Sequence, residues 1–125
     1  FAMGKNKAKL KAARARYEQE VYNYQKSVLG AFKEVGNAII TIRKAKEVRL
    51  SYERLLNAAD TYLQLAQLQY INGVIRYIDV LDAQRKFFDA QVEESKAVRN
   101  EHLALVGLYK ALGGGWQPSD VEKKG

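Results

Sequence analysis

Two aspartates three residues apart, Asp79 and Asp82, have the spacing in this chain that most invites chemistry. On a helix they share a face. A carboxylate pair of that kind serves general acid–base catalysis or cation binding. Their surroundings supply no nucleophile, no phosphate-cradling glycine loop and no His/Cys cluster of metal-ligand spacing. The single histidine, His102, lies in a charged stretch and reads as a polar surface residue. The plain reading of the pair is helix-start charge, because the positive end of the macrodipole favours a carboxylate in the first turn. A third reading needs symmetry. If several copies of this stretch converge on an axis, each aspartate becomes a ring of carboxylates that selects cations and, with basic partners, latches a constriction. No catalytic residue, metal ligand or cofactor is assigned, and the chain does not read as an enzyme.

These residues are positioned by a turn. Asn72-Gly73 is the one strong turn signal in the interior of the chain, since both residue types tolerate positive φ and close helices with a left-handed cap. Helical spacing precedes it from about Lys5 to Gln69 and follows it from about Arg76 to Leu112. The pattern predicts an all-α fold: a long antiparallel, coiled-coil-like hairpin with one very long helix and one shorter returning helix. Residues 1–4 are expected as an opening segment, residues 5–112 as the hairpin with its tip at 70–76, and residues 113–125 as a glycine-rich turn and tail in which Trp116 docks just beyond the stop. Tyr70 and Arg76 flank the turn.

In the first helix Tyr17, Val21, Tyr24, Val28, Phe32, Val35, Ile39 and Ile42 advance in steps of four and three, and Ala45, Val48, Tyr52, Leu55, Ala59, Tyr62 and Ala66 continue them. Two successive three-steps between Ile42 and Val48 read as a stammer. Leu56, Leu63 and Tyr70 form a neighbouring stripe, so this helix is expected to have partners on two flanks. Gly30 and Gly36 are explained either by close approach of a neighbour or by simple tolerance. In the second helix the expected core is Ile78, Leu81, Phe88, Val92, Leu105, Val106 and Tyr109, while Glu93 to His102 reads as facing solvent or a lumen. At ~1.5 Å per residue the two helices would be roughly 100 Å and 55 Å long, so the upper half of the first must pack on something outside this chain.

Composition narrows the class further. The 125 residues suffice for one domain, and 47% hydrophobic content in periodic register excludes disorder. There is no cysteine, hence no disulfide, and no apolar run approaches the ~20 residues of a membrane-spanning helix. The net charge of +7 is concentrated at one end, where Lys5, Lys7, Lys9, Lys11, Arg14 and Arg16 precede the first acid, Glu18. Such a stretch contacts an anionic lipid or nucleic acid, or is simply a solvated helix end; it lacks the interleaved aromatics of a single-strand binder.

Three runs carry a resemblance: Tyr70-x-x-Gly73, Tyr77-Ile78-Asp79-Val80-Leu81-Asp82-Ala83-Gln84-Arg85 and Leu108-Tyr109-Lys110-Ala111-Leu112-Gly113-Gly114-Gly115-Trp116. Together they resemble the C-terminal half of the TolC-like outer membrane efflux proteins, in the branch serving tripartite resistance-nodulation-division pumps. Gly4-Lys5-Asn6 and Ala31-Phe32-Lys33-Glu34-Val35 fit the same branch. The resemblance implies a homotrimer whose hairpins build a periplasmic α-barrel tunnel. It also implies a periplasmic adaptor and an inner-membrane pump as partners, contact with the outer membrane through barrel strands absent here, and no nucleic acid. Asp79 and Asp82 would form lumen-facing constriction rings, and Tyr70 would make latch hydrogen bonds. TolC carries arginine two positions after the tip glycine; here that position is Ile75, and Arg76 stands one step along, about 100° round a helix. On this reading the chain is a fragment, roughly the last quarter to third of such a protein, and a passive conduit element. The alternatives are a soluble coiled-coil scaffold that binds another protein through its tip, and a basic helical nucleic-acid binder.

Overall fold

The computed structural model describes residues 1–113. They form two helices, α1 over Ala2–Ile71 and α2 over Tyr77–Gly113, and no strand occurs among the described residues. The expected all-α hairpin is present. α1 starts earlier than anticipated: the Lys5 amide donates to the Phe1 carbonyl at 3.2 Å, closing a first turn, so residues 2–4 are helical rather than an opening segment. α2 ends at Gly113. The rest of the glycine run, Trp116 and the tail lie outside the described residues.

The chain divides into two units, Phe1–Asn37 and Ala38–Gly125. Within the first, no residue is buried; Val28, Val35 and Gly36 are half-buried, while Tyr17, Tyr24 and Phe32 of the expected seam are exposed. Alanine at Gly30 or Gly36 would meet nothing within 4 Å, so no neighbour among the described residues accounts for either glycine.

In the second unit the contact face of α1 runs through Ala38, Ile42, Ala45, Arg49, Tyr52, Leu56, Ala59, Leu63 and Ala66, all half-buried or buried. The steps are four and three throughout, so the stammer expected near Val48 is absent. The seam passes through Arg49, Leu56 and Leu63, whereas Val48, Leu55 and Tyr62 are about half exposed. At each of those positions the helix turns the following residue inward, and an arginine stem packs as readily as valine while its head reaches water.

The correction is larger in α2. Its contact face is Val80, Ala83, Phe87, Ala90, Glu94, Ala97, Glu101, Ala104, Leu108 and Ala111, again in steps of three and four. Val80, Ala83, Ala90, Ala97 and Ala104 are buried, and Ala83 is completely inaccessible. Ile78, Leu81, Phe88, Val92, Leu105, Val106 and Tyr109, expected as core, are all exposed. The stretch from Glu93 to His102 does not face away as a whole, because Ala97 is buried and Glu101 is half-buried. The seam of α2 has an alanine every seventh residue from Ala83 to Ala111, that of α1 has Ala38, Ala45, Ala59 and Ala66, and Ala66 clusters with Ala83 and Val80. Small side chains on both sides let two helix backbones approach closely, since side-chain size at the contact sets the separation. One cross-hairpin ion pair interrupts this apolar seam, Arg49 Nε with Glu101 Oε2. Arg49 also reaches Glu53 at 3.2 Å.

The tight seam generates a contrast. Ala83→Leu should destabilise the chain by about 1–3 kcal/mol, because the site has no room for added methylenes. Phe88→Ala should change stability by less than about 0.5 kcal/mol, because that ring is 62% exposed. Thermal unfolding followed by circular dichroism checks both; a larger loss from Phe88→Ala than from Ala83→Leu would mean the seam is misplaced.

Candidate functional site

The tip is built by two capping devices placed back to back. α1 ends in a paired closure: the Gly73 amide donates to the Tyr70 carbonyl at 2.9 Å and the Val74 amide to the Gln69 carbonyl at 2.8 Å. This pattern is a Schellman motif, which needs one left-handed residue. Gly73 supplies it with φ 74°, and no other residue type among those described has positive φ. Asn72 therefore stays in ordinary backbone space. It contributes through its side chain, whose Nδ2 donates to the Leu68 carbonyl at 2.9 Å.

α2 opens on Arg76 as its N-cap residue, a poor choice by side chain because guanidinium cannot accept a bond from the first-turn amides. Asp79 compensates from three residues on. Its Oδ2 accepts from the Arg76 amide at 3.1 Å, and the Asp79 amide donates to the Arg76 carbonyl at 3.1 Å. The Arg76 Nε lies 3.9 Å from the same carboxylate oxygen. Asp79 thus performs the return half of a capping box. Sequence reasoning found the helix-start carboxylate but missed this bond, because no Ser or Thr marks the cap.

Asp82 lies on the same face by spacing but keeps other company. Its Oδ1 accepts from Arg85 Nη2 at 3.3 Å and its Oδ2 from Lys86 Nζ at 3.1 Å. Lys86 Nζ also stands 5.6 Å from the Tyr62 ring centroid, across the hairpin. No bond joins Asp79 to Asp82, and both side chains are roughly half exposed. Tyr70 packs on Tyr77, with ring centroids 5.4 Å apart at 55°, a partner the sequence reading did not name. The two rings close the tip from either side, three residues before and four after Gly73. The structure therefore brings Arg76 to Asp79 and leaves Tyr70 and Asp82 in separate contacts.

Below the tip, Leu55, Ala58, Ala59 and Tyr62 of α1 and Lys86, Asp89, Ala90 and Glu93 of α2 line an open groove of about 600 Å³. Its floor is apolar and its α2 rim is charged. Among the described residues no three His, Cys, Asp or Glu side chains gather to hold a metal, and no helix is long and apolar enough to cross a membrane.

Glycine at the tip and glycine in the interior of α1 give opposite expectations. Gly73→Ala should cost about 1–2 kcal/mol, the penalty of a left-handed alanine, while Gly30→Ala should stabilise by about 0.5–1 kcal/mol, since helix propensity rises and nothing is met. Asp79→Ala should cost about 1 kcal/mol through the lost capping bond. Chemical denaturation of the three variants checks the signs; a neutral Gly73→Ala would refute the left-handed closure.

The outer membrane efflux protein family matches residues 1–114. The chain is 35% identical over 116 residues to the probable outer membrane lipoprotein SilC of Salmonella typhimurium, covering 93% of this chain and 25% of that protein. It is 34% identical over 117 residues to the cation efflux system protein CusC of Escherichia coli O157:H7, covering 94% of this chain and 25% of that protein. It is 34% identical over 116 residues to the outer membrane protein OprJ of Pseudomonas aeruginosa, covering 93% of this chain and 24% of that protein. No solved structure gave a significant match. The chain spans about a quarter of the length of these relatives. Its helices correspond to the periplasmic helical region of Gram-negative outer membrane proteins that act in transport rather than catalysis. With nearly every residue matched, this hairpin belongs to the outer membrane efflux protein family.

Proposed function

We propose that this hairpin forms part of the wall of a periplasmic tunnel in a homotrimeric outer membrane efflux channel, with its tip at the tunnel's narrow end. The observation that carries this reading is the amount of apolar surface the hairpin leaves unused. The seam consumes mainly alanines. Leu55 and Tyr62 on α1, and Ile78, Leu81, Phe88 and Leu105 on α2, remain exposed. Apolar surface on that scale marks an interface, and helices from neighbouring hairpins are suitable occupants.

In this assembly Asp79 and Asp82 line the constriction, Tyr70 and Arg76 take part in its closure, and Asn72-Gly73 forms the turn itself. The conduit is passive. Energy is supplied by an inner-membrane pump, and a periplasmic adaptor docks at the tips. The exported substrate is set by the pump. Cation efflux systems and solvent efflux pumps occur among the relatives' names, so one wall architecture serves chemically different cargo.

Single-channel conductance of the full-length parent in a planar bilayer tests the tip. Asp79→Asn/Asp82→Asn should reduce cation selectivity severalfold and relieve block by multivalent cations, because two rings of carboxylates disappear. Unchanged selectivity in a conducting double variant would remove the aspartates from the constriction.

A further inference from the structure

The basic stretch at the start of α1 belongs to the first unit and is part of neither the seam nor the tip described above. Lys5, Lys7, Lys9, Lys11, Arg14 and Arg16 are all exposed, and none makes an ion pair or side-chain hydrogen bond among the described residues. Farther along the chain Arg49, Arg76, Arg85, Lys86 and Lys96 each have a carboxylate. No acid occurs before Glu18, so repulsion within the stretch is uncompensated by the chain itself.

The six charges are arranged in two rows. At about 100° per residue, Lys5, Lys9 and Arg16 fall within a sector of roughly 40°, and Lys7, Lys11 and Arg14 within one of roughly 60° on the other side. Between the rows run Gly4, Ala8, Ala12 and Ala15. The strip is floored by small residues and rimmed by cations, and a shallow groove of about 470 Å³ lined by Gly4, Lys7, Ala8, Leu10, Lys11 and Arg14 follows its Lys7, Lys11 and Arg14 edge. An anionic group can approach the backbone there beside the ammonium and guanidinium groups of that row.

We infer that this strip is a docking surface for the phosphate headgroups of anionic phospholipids. Clusters of four to eight Lys or Arg beside a membrane act in this way, each adding to the attraction at a negatively charged surface. The family is resident in the outer membrane, which puts such a surface within reach. Nucleic acid is disfavoured, because no aromatic residue interrupts Lys5 to Arg16 to stack on a base.

Flotation of the 125-residue chain with vesicles tests the inference. Partition onto phosphatidylcholine vesicles containing about 30% phosphatidylglycerol should exceed that onto pure phosphatidylcholine at least roughly tenfold and should fall as salt rises. Replacing all six cations by glutamine should abolish the difference while leaving helicity by circular dichroism unchanged, since glutamine is a good helix former. Arg43→Gln/Lys44→Gln/Lys46→Gln, which removes exposed cations of the second unit, should retain most of the binding. Equal partition onto both vesicle types, undiminished binding by the six-site variant, or an equal loss per charge from the three-site variant would overturn the assignment. So would displacement of the vesicles by a single-stranded oligonucleotide at equal phosphate concentration.

Discussion

A helix that offers alanine to its neighbour gains close approach and gives up buried area. Each buried methyl contributes on the order of 0.8 kcal/mol, against 1.5–3 kcal/mol or so for a fully buried leucine or phenylalanine. Ala66, Ala83, Ala90, Ala97 and Ala104 are buried here, and Val80 is the one larger residue with them. The constraint then propagates outward. With the fully buried positions taken by small residues, many leucines, tyrosines and phenylalanines stand exposed on the flanks. A hairpin of this construction leaves large apolar side chains on its outside. That is the economy expected of a wall element, and it differs from that of a globular domain, which turns its largest side chains inward.

The tip has the opposite character. Short-range bonds hold the chain reversal: the Gly73 and Val74 amides bond to α1 carbonyls, the Asn72 amide group to Leu68, and the Arg76 amide to Asp79. The two aspartates consequently differ in kind. Asp79 is pinned by a backbone amide, which fixes where its charge sits, and its remaining oxygen is available. Asp82 is held between two cations on the following turn. A ring built from Asp79 would present aimed charge, while one built from Asp82 would present charge largely neutralised within its own helix.

The helices, their hairpin pairing and the turn at Gly73 were legible because strong local signals agreed: long helical periodicity on both sides and a single glycine able to take positive φ. The seam was less legible for a physical reason. Reading periodicity through the largest apolar residues assumes that size marks the inside, and in α2 that assumption selects Leu81 over Ala83 and with it the face of Phe88 in place of that of Phe87. The signal that would have found the seam is the alanine heptad from Ala83 to Ala111, visible in the sequence but quiet because alanine is also the default surface residue of helices. The apparent stammer at Val48 has the same origin, since following Arg49 restores an unbroken repeat. Tyr77 as partner of Tyr70, and the capping role of Asp79, depend on the path of the chain between the helices, which composition does not reveal.

A seam of near-identical alanine repeats raises the question of what prevents the helices from slipping by one heptad. Among the described residues Arg49 and Glu101 form the one ion pair across the seam, and any slip of fewer than seven residues strands both charges against apolar neighbours. A slip of a whole heptad is not excluded by this pair alone, because Glu94 occupies the equivalent place one repeat earlier. The turn excludes it. Five residues, from Asn72 to Arg76, separate α1 from α2, and the closure at Gly73 fixes their path by two backbone bonds. Shifting α2 by a heptad would move its start about 10 Å along α1, which those five residues cannot supply without breaking the closure. Register in this hairpin is thus held by two unlike devices, a polar pair that resolves small slips and a glycine that resolves large ones.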